Sequence, residues 1–240
     1  MIRTSVVSDI TVGSPWTWEK CAFITFDIDW APDAVIEDSI NLLVSAGVRA
    51  TWYATHPTPL LKVINDNPLF ELGIHPNFNK LLGGQAPHGE SAWSIVEDLC
   101  NVVPEATSAR SHSIVQGGPV SLIFEQHGIT HESNCNIPES AGVRLRPWTT
   151  SNGLTSVPYC WADEHSWTQK QSNKYIDIID RVGLAVFDFH PIHVFLNTDS
   201  AKFFQEARQY YHQPHELLRR RTNSKCGART MLCDLLEAIC

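Results

Sequence analysis

Apolar and polar positions follow two alternating patterns along the chain. Nearly continuous apolar runs at residues 21–26 and 184–189 predict buried strands. Between Pro32 and Gly47, apolar residues recur at helical spacing, and these two residues are suited to begin and end a helix. Because strands alternate with helices, the pattern predicts an α/β fold with a parallel sheet. The spacing alone leaves an open sheet and a closed barrel as alternatives.

The same patterns predict the other elements. Further strands are expected at residues 49–54, 69–74, 107–110 and 129–132. Further helices are expected at residues 59–65, 90–103, 120–127, 174–182, 200–211, 214–221 and 229–239. Residues 134–167 are rich in Pro, Gly, Ser and Trp, which predicts strands joined by long loops. No repeat or linker interrupts the chain, so we expect residues 1–240 to form a single catalytic domain.

Two carboxylates follow the first predicted buried strand. Asp27 and Asp29 are spaced i, i+2, and side chains alternate along a strand, so both are expected on one face at its carboxyl end. Ligands and catalytic groups collect at that end in βα folds. Two crowded carboxylates need a cation or a shared proton. The pattern therefore suggests a metal-dependent hydrolase.

Polar residues also follow other predicted strands. They are Asp27 and Asp29, His75, Arg110 and His112, and His190 and His193. In a parallel sheet the carboxyl ends of the strands meet at one edge, so these residues are expected to converge despite their separation in sequence.

Composition narrows the function classes. The 240 residues are 43% hydrophobic and 18% charged, which is typical of a globular protein. A net charge of −8, from 18 basic and 26 acidic residues, argues against a nucleic-acid partner. No apolar run approaches the roughly 18 residues of a membrane span, so we expect no transmembrane segment.

The cysteines and the N-terminus bear on the cellular compartment. The seven cysteines are an odd number and include no Cys-x-x-Cys pair, which favours reduced thiols. Cys226, Cys233 and Cys240 are seven residues apart, so we expect them along one buried helical stripe. Residues 1–5 lack the apolar core of a secretory signal. Together these features predict a cytoplasmic protein.

Three motifs carry a resemblance to a known family. Phe26-Asp27-Ile28-Asp29 resembles a Thr-Phe-Asp-Asp segment in a spread Asp-x-Asp form. Ala50-Thr51-Trp52-Tyr53 is similar to an Ala-Thr-Phe-Phe strand, and Glu71-Leu72-Gly73-Ile74-His75 resembles a Glu-(Ile/Leu)-Gly-x-His segment. All three are motifs of the polysaccharide deacetylase family (carbohydrate esterase family 4). The resemblance spans about residues 22–196 and implies a distorted (β/α) barrel with a bound divalent metal, which we expect to be zinc.

The resemblance also implies roles for particular residues. Asp27 matches the catalytic base, and Asp29 and His75 match metal ligands. Arg110 matches the arginine that pairs with the catalytic aspartate and holds it ionised. His190 matches the late strand-end histidine that acts as the general acid.

The sequence departs from the family where a second metal-binding histidine is expected. Asn79 occupies that position, four residues after His75, and an amide oxygen is a weaker zinc ligand than imidazole. His88 is the nearest spare imidazole, so we expect it to be the third protein ligand. Asn79, or a site with only two protein ligands, remains an alternative.

Other candidate residues are expected near the substrate. His112 replaces the proline of the family's Arg-x-Pro segment, and His193 competes with His190 for the role of acid. We expect His112 and His193 to contact substrate. Trp30 and Trp161 are candidates for stacking on a sugar, with packing in the core as the alternative.

The function implied by the resemblance is hydrolysis of a carbon–nitrogen bond. We expect the protein to remove an acetyl or formyl group from an acylated amino sugar, in a nucleotide- or lipid-linked precursor of a surface polysaccharide. A hydrolase of another C–N bond, in a cyclic amide or ureide, is one alternative. A catalytically silent sugar-binding homologue that binds no metal is another.

Overall fold

Ten strands in the described part of the chain form one curled sheet. The computed structural model describes residues 2–167 and 175–240. The strands are β1 (Arg3–Thr4), β2 (Cys21–Asp27), β3 (Ala50–Ala54), β4 (Phe70–Ile74), β5 (Ser108–Ala109), β6 (His131–Glu132), β7 (Trp148–Thr149), β8 (Thr155–Ser156), β9 (Trp161–Ala162) and β10 (Ala185–Phe189). Their order is β7-β8-β6-β5-β4-β3-β2-β10-β9, with β1 also paired to β2. All pairs are parallel except β7 with β8, and the sheet forms a half-barrel.

Helices connect most of these strands. They are α1 (Asp33–Ala46), α2 (Leu60–Asn65), α3 (Asn79–Leu82), α4 (Ala92–Val102), α5 (Gly118–Gln126), α6 (Tyr175–Val182), α7 (Pro191–Leu196), α8 (Ala201–Ala207), α9 (Pro214–Arg220) and α10 (Ala228–Ile239). None of these helices has the length and apolar character needed to cross a membrane.

The centre of the sheet is buried on both faces. Every residue of β2, β3 and β10 is buried, which is the pattern of parallel strands covered on both sides. Helix α1 packs against α2 and α7, and α10 packs against α6 and α7. The buried apolar side chains form one contiguous cluster.

Local chemistry sets the ends of α1 as predicted. Pro32 precedes the helix in extended backbone, and Gly47 follows it with φ 66°. That left-handed conformation favours glycine, and its N–H bonds the carbonyls of Leu43 and Val44.

Glycine is also required inside β4. A Cβ at Gly73 would lie 2.5 Å from the backbone oxygen of Ser108 and 2.6 Å from its Oγ. The glycine therefore lets β4 and β5 approach each other, and His75 follows two residues later.

The predicted α/β fold with a parallel, barrel-like sheet is confirmed, and several details differ. The predicted helix 200–211 is divided into α8 and a 3₁₀ turn at Arg208–Tyr210, while β1, α3 and α7 were not predicted. Lys174, the predicted first residue of α6, lies outside the described residues. The buried cysteine stripe is wrong, because Cys226 precedes α10 and is exposed, and Cys240 at the chain end is also exposed.

Candidate active site

The predicted convergence of strand ends is present. A cavity of about 320 Å³ opens at the carboxyl edge of the parallel strands. Its lining includes Asp27, Asp29, His75, His112 and His190. These residues follow or end strands β2, β4, β5 and β10, so the sheet topology brings them together.

Asp29 reaches the cavity through a turn. Strand β2 ends at Asp27, and both Asp29 (φ 47°) and Trp30 (φ 57°) have left-handed backbone. The turn is held by the Trp30 N–H, which donates to Thr55 Oγ1 at 3.0 Å, and by the Tyr211 hydroxyl, which donates to the Asp29 carbonyl at 2.5 Å. The simple alternation expected for Asp27 and Asp29 therefore stops at Asp27.

Asp29, His75 and His112 form a compact set of possible metal ligands. Asp29 Oδ1 lies 3.2 Å from His75 Nε2 and 3.0 Å from His112 Nδ1, and the two nitrogens are 3.3 Å apart. Bonds of ~2.0–2.1 Å to a tetrahedral zinc would separate the ligand atoms by about 3.3 Å. The three side chains therefore fit one such ion, with a coordination position left open.

The charge around these ligands also suits a cation. Burial would raise the pKa of Asp29, but hydrogen bonds from His112 and His75 hold it well below its ordinary value. Burial would lower the pKa of His75, yet the carboxylates of Asp27 and Asp29 raise it. Asp29 is therefore ionised at neutral pH, and the field at His75 is negative. One carboxylate and two imidazoles form a typical zinc donor set.

Backbone strain is concentrated in the loops that hold these ligands. Six non-glycine residues in the described chain have positive φ, and four of them are Asp29, Trp30, Ser113 (φ 58°) and Ile114 (φ 49°). Each such conformation costs about 1–3 kcal/mol and is typical of functional sites. The strain therefore marks the two loops that present Asp29 and His112.

The structure brings His112, and not His88, to Asp29 and His75. His88 is exposed in the loop after α3 and belongs to none of the candidate ligand groups found among the described residues. Asn79 is exposed at the start of α3, where its Nδ2 donates to Ser113 Oγ at 3.0 Å. Asn79 thus contacts the loop that carries His112.

Arg110 is buried beside the carboxylate of Asp27. Its Nη1 donates to Asp27 Oδ1 at 3.1 Å, to Thr25 Oγ1 at 2.8 Å and to Asp188 Oδ1. Nε donates to the Ser133 carbonyl at 3.1 Å, and Nη2 donates to Ser133 Oγ at 2.9 Å. These bonds fix the guanidinium, which in turn fixes one oxygen of Asp27.

Asp188 is a second carboxylate at this guanidinium. Burial raises its pKa to about 7; Arg110 opposes that rise, and Asp27 adds to it. Burial and the charge of Asp27 therefore favour the protonated form of Asp188, and Arg110 favours its carboxylate. Asp27 and Asp188 share one cation, and Arg110 remains paired if either carboxylate is neutral.

His190 is positioned by Asp163, which follows β9. The Asp163 carboxylate accepts from the His190 N–H and lies at Nδ1, both at 2.8 Å, while His190 Nε2 is 3.8 Å from Asp29 Oδ2. Burial opposes a charged imidazole, but the carboxylates of Asp163 and Glu164 raise the pKa of His190 well above its ordinary value. His190 lines the cavity, and the neighbouring carboxylates favour its protonated form.

The other predicted substrate contacts are divided between core and cavity. Trp161 is 1% exposed and packs against Phe187 and Phe189, so it is a core residue and cannot present its ring to a sugar. Trp30 is 37% exposed, and its ring meets His112 edge-on at 5.2 Å. His193 on α7 is 1% exposed, with Nε2 3.5 Å from Glu164 Oε1.

Sequence reasoning missed Asp163, Glu164 and Asp188. A signal for Asp188 was present, because a single carboxylate interrupts the apolar run at residues 184–189. Asp163 and Glu164 follow a strand of only two residues in a loop-rich region, where no periodicity marks a strand end.

A family model described as WbmS-like polysaccharide deacetylase matches residues 24–208. The chain belongs to this family. The chain is also similar to a crystal structure from Bordetella bronchiseptica, described as a polysaccharide deacetylase involved in O-antigen biosynthesis. The two sequences are 40% identical, and the TM-score between the two structures is 0.91. The match covers 98% of this chain and 97% of that chain.

A polysaccharide deacetylase structure from Mycobacterium smegmatis is 14% identical with a TM-score of 0.49, over 80% of this chain and 82% of that chain. Comparison with curated proteins gave no significant match. Membership of the WbmS-like family supports a carbohydrate deacetylase, which is a hydrolase, and an acylated sugar as its substrate.

Proposed function

We propose that the protein is a metal-dependent hydrolase that removes an acetyl or formyl group from the nitrogen of an amino sugar. The observation that carries this proposal is the Asp29–His75–His112 set of possible ligands, in one cavity with Asp27 and His190. The family match supports the same chemistry. The presence of both Asp27 and His190 beside the ligand set favours a hydrolase over a catalytically silent sugar-binding homologue.

In this mechanism Asp29, His75 and His112 would hold the metal, which we propose to be zinc. A bound zinc would supply Lewis acidity, lowering the pKa of water toward ~7 and polarising the acyl carbonyl. Asp27 accepts a proton from the attacking water, while Arg110 holds its carboxylate oriented. Protonated His190 then donates to the nitrogen of the leaving amine, so that the C–N bond breaks to a neutral amine.

The proposed substrate is a nucleotide- or lipid-linked precursor of a surface polysaccharide. The similarity to a protein described in O-antigen biosynthesis supports this class. We further propose a cytoplasmic location, because Cys21 and Cys160 are buried free thiols and such thiols suit a reducing compartment. The contiguous apolar core supports one catalytic domain over residues 1–240.

A direct test of the function is release of acetate from N-acetylglucosamine derivatives, or of formate from N-formyl ones, by purified protein. Activity should be lost with a chelator and return with zinc. Absence of acyl release from every N-acyl sugar, with the metal site filled, would contradict the proposal.

The assignment of the third ligand makes a separate prediction. His112→Ala should lower the affinity for zinc by at least about tenfold, because one of three protein ligands is removed. His88→Ala is the matched control and should bind zinc as the wild type does, since His88 is exposed outside the ligand set. Zinc content after dialysis and competition with a chromogenic chelator measure both. Loss of zinc in His88→Ala alone would restore His88 as the ligand.

The pKa of His190 predicts a pH dependence. Below this raised pKa the imidazole is protonated and can donate, so the alkaline limb of the activity profile should be the fall as pH rises through it. Asp163→Asn removes a carboxylate that raises the pKa, so the alkaline limb of the kcat profile should move to lower pH. Asp180→Asn on α6 is a control that should leave the limb in place. If the alkaline limb is unchanged in folded, zinc-loaded Asp163→Asn, then Asp163 does not set the pKa of the general acid.

A further inference from the structure

A second cavity, of about 510 Å³, adjoins the first. Asp29 and His112 line both cavities, so any ligand in the second lies next to the reacting centre. Its other walls include Trp30, Glu164, Phe204, Arg208, Tyr211 and His212. It thus combines aromatic faces with basic side chains directly beside the proposed metal ligands.

A short C-terminal turn builds the basic wall of this second cavity. The 3₁₀ turn Arg208–Tyr210 has three residues per turn, which places Arg208 and Tyr211 on the same side. The Tyr211 hydroxyl donates to the Asp29 carbonyl at 2.5 Å. This bond anchors the turn to the active-site loop, so Arg208 is held at a defined place beside the site.

The positive charge of this wall is not used within the described protein. Arg208 is exposed and forms no ion pair with any described carboxylate, whereas Arg219 and Arg220 both pair with Glu216. The two carboxylates that line the second cavity are engaged elsewhere. Asp29 lies against His75 and His112, and Glu164 lies 3.5 Å from His193. Arg208, which lines the same cavity as His212, therefore remains able to bind an anion.

A third cavity is also lined by Trp30, but its charged side chains differ. It also has a volume of about 510 Å³, and Lys80, Glu90 and Asp98 line it. Glu90 and Asp98 form no ion pair with any described cation, whereas Asp29 and Glu164 in the second cavity lie against histidines. The third cavity is therefore the less favourable one for an anion. An anionic substrate would therefore place its charge on the Arg208 side.

We propose that the second cavity is a subsite for an anionic group of the substrate, which Arg208 binds beside the acylated sugar. This inference rests on the proposed function and narrows its substrate to a negatively charged N-acyl amino sugar. Trp30 offers a ring face to the sugar, and the Arg208 guanidinium can bond two oxygens of the anion at once. A carboxylate on the sugar ring and a phosphate that links the sugar to a carrier both present such oxygens.

Binding to the Asp27→Asn protein, loaded with zinc, tests the subsite without turnover. Three probes are titrated by calorimetry: methyl N-acetylglucosaminide, N-acetylglucosamine 1-phosphate and N-acetylgalactosaminuronic acid. At least one anionic probe should bind more tightly than the neutral one. Adding Arg208→Gln should weaken that probe by about tenfold or more, with the neutral probe unchanged, as expected for a lost charge-assisted hydrogen bond. Arg219→Gln is the matched control and should change neither.

The three probes and the Arg208→Gln variant distinguish the possible results of this experiment. Preference for the 1-phosphate identifies a phosphate-linked substrate, and preference for the uronic acid identifies a ring carboxylate. The inference is overturned if neither anionic probe binds more tightly than the neutral sugar, or if Arg208→Gln leaves the preference intact. Acyl release by the wild type from the neutral probe would then leave the proposed function standing. Arg208-dependent binding without acyl release from any probe would leave the subsite and remove the deacetylase function.

Discussion

Asp27→Asn is expected to lower kcat for acyl release by at least ~10²–10⁴-fold, the loss typical of a general base. An amide has nearly the shape of the carboxylate but cannot accept a proton from the attacking water. The fold should persist, because Asp188 still pairs with buried Arg110 after the charge of Asp27 is removed. Removing that charge also removes one of the causes that raise the pKa of Asp188, which favours its ionised form.

Two measurements and a control variant are needed to interpret Asp27→Asn. Zinc content should match that of the wild type, because Asp29, His75 and His112 are unchanged, and thermal unfolding should remain cooperative. Asp66→Asn is the matched control, since Asp66 is an exposed partner of Lys62 on the surface. Normal turnover by a zinc-loaded Asp27→Asn protein would exclude Asp27 as the base.

The strand-end residues could be predicted from sequence because parallel topology does most of the positioning. His75 follows β4 and Arg110 follows β5, and these strands are neighbours with Ile74 opposite Ala109. Once the strands are recognised, their carboxyl ends must meet, whatever the sequence separation. The contact of Arg110 with Asp27 could therefore be predicted from the two strands and the family resemblance alone.

The third proposed metal ligand, His112, could not be predicted in the same way. His88 is nearer to His75 in sequence, but β5 returns the chain to the side of β4, and the His112 N–H bonds the Pro76 carbonyl at 2.9 Å. The two left-handed residues that follow His112 form a loop conformation that no periodicity indicates. The order of the strands and the backbone of the loop after β5 therefore bring His112 close to His75. The number of residues between two histidines in the sequence reveals neither feature.

The remaining differences between prediction and structure concern which side chains are buried. Trp161 and Trp30 are the same residue type near strand ends, yet only Trp30 leaves the core, because it lies in the turn after β2 while Trp161 lies within β9. Asp188 lies within β10 and faces Arg110, an orientation that follows from the position of Arg110 across the sheet. Side-chain exposure at such positions depends on the whole half-barrel.

The second large loss of activity is expected when the proposed general acid is replaced. His190→Ala should lower kcat by ~10²–10⁴-fold, and His193→Ala should lower it less. His190 lines the first cavity, and Asp163 binds its Nδ1, which leaves Nε2 as the nitrogen toward Asp29. His193 lies three residues after His190, on α7. Its Nδ1 is 3.3 Å from Thr198 Oγ1, and its Nε2 faces Glu164. Its imidazole is therefore farther along the wall, at the second cavity.

The chemical signature of the lost acid distinguishes the two histidines further. A substrate with a better leaving group needs less protonation, so the defect of His190→Ala should shrink on an activated aryl ester or anilide of acetic acid. The modest defect of His193→Ala should stay the same on both substrates, because a packing change affects them alike. If His193→Ala shows the larger defect and the rescue, the acid is His193. If neither variant loses activity while zinc is bound, protonation of the leaving amine by this pair of residues is excluded, and the mechanism proposed here is wrong.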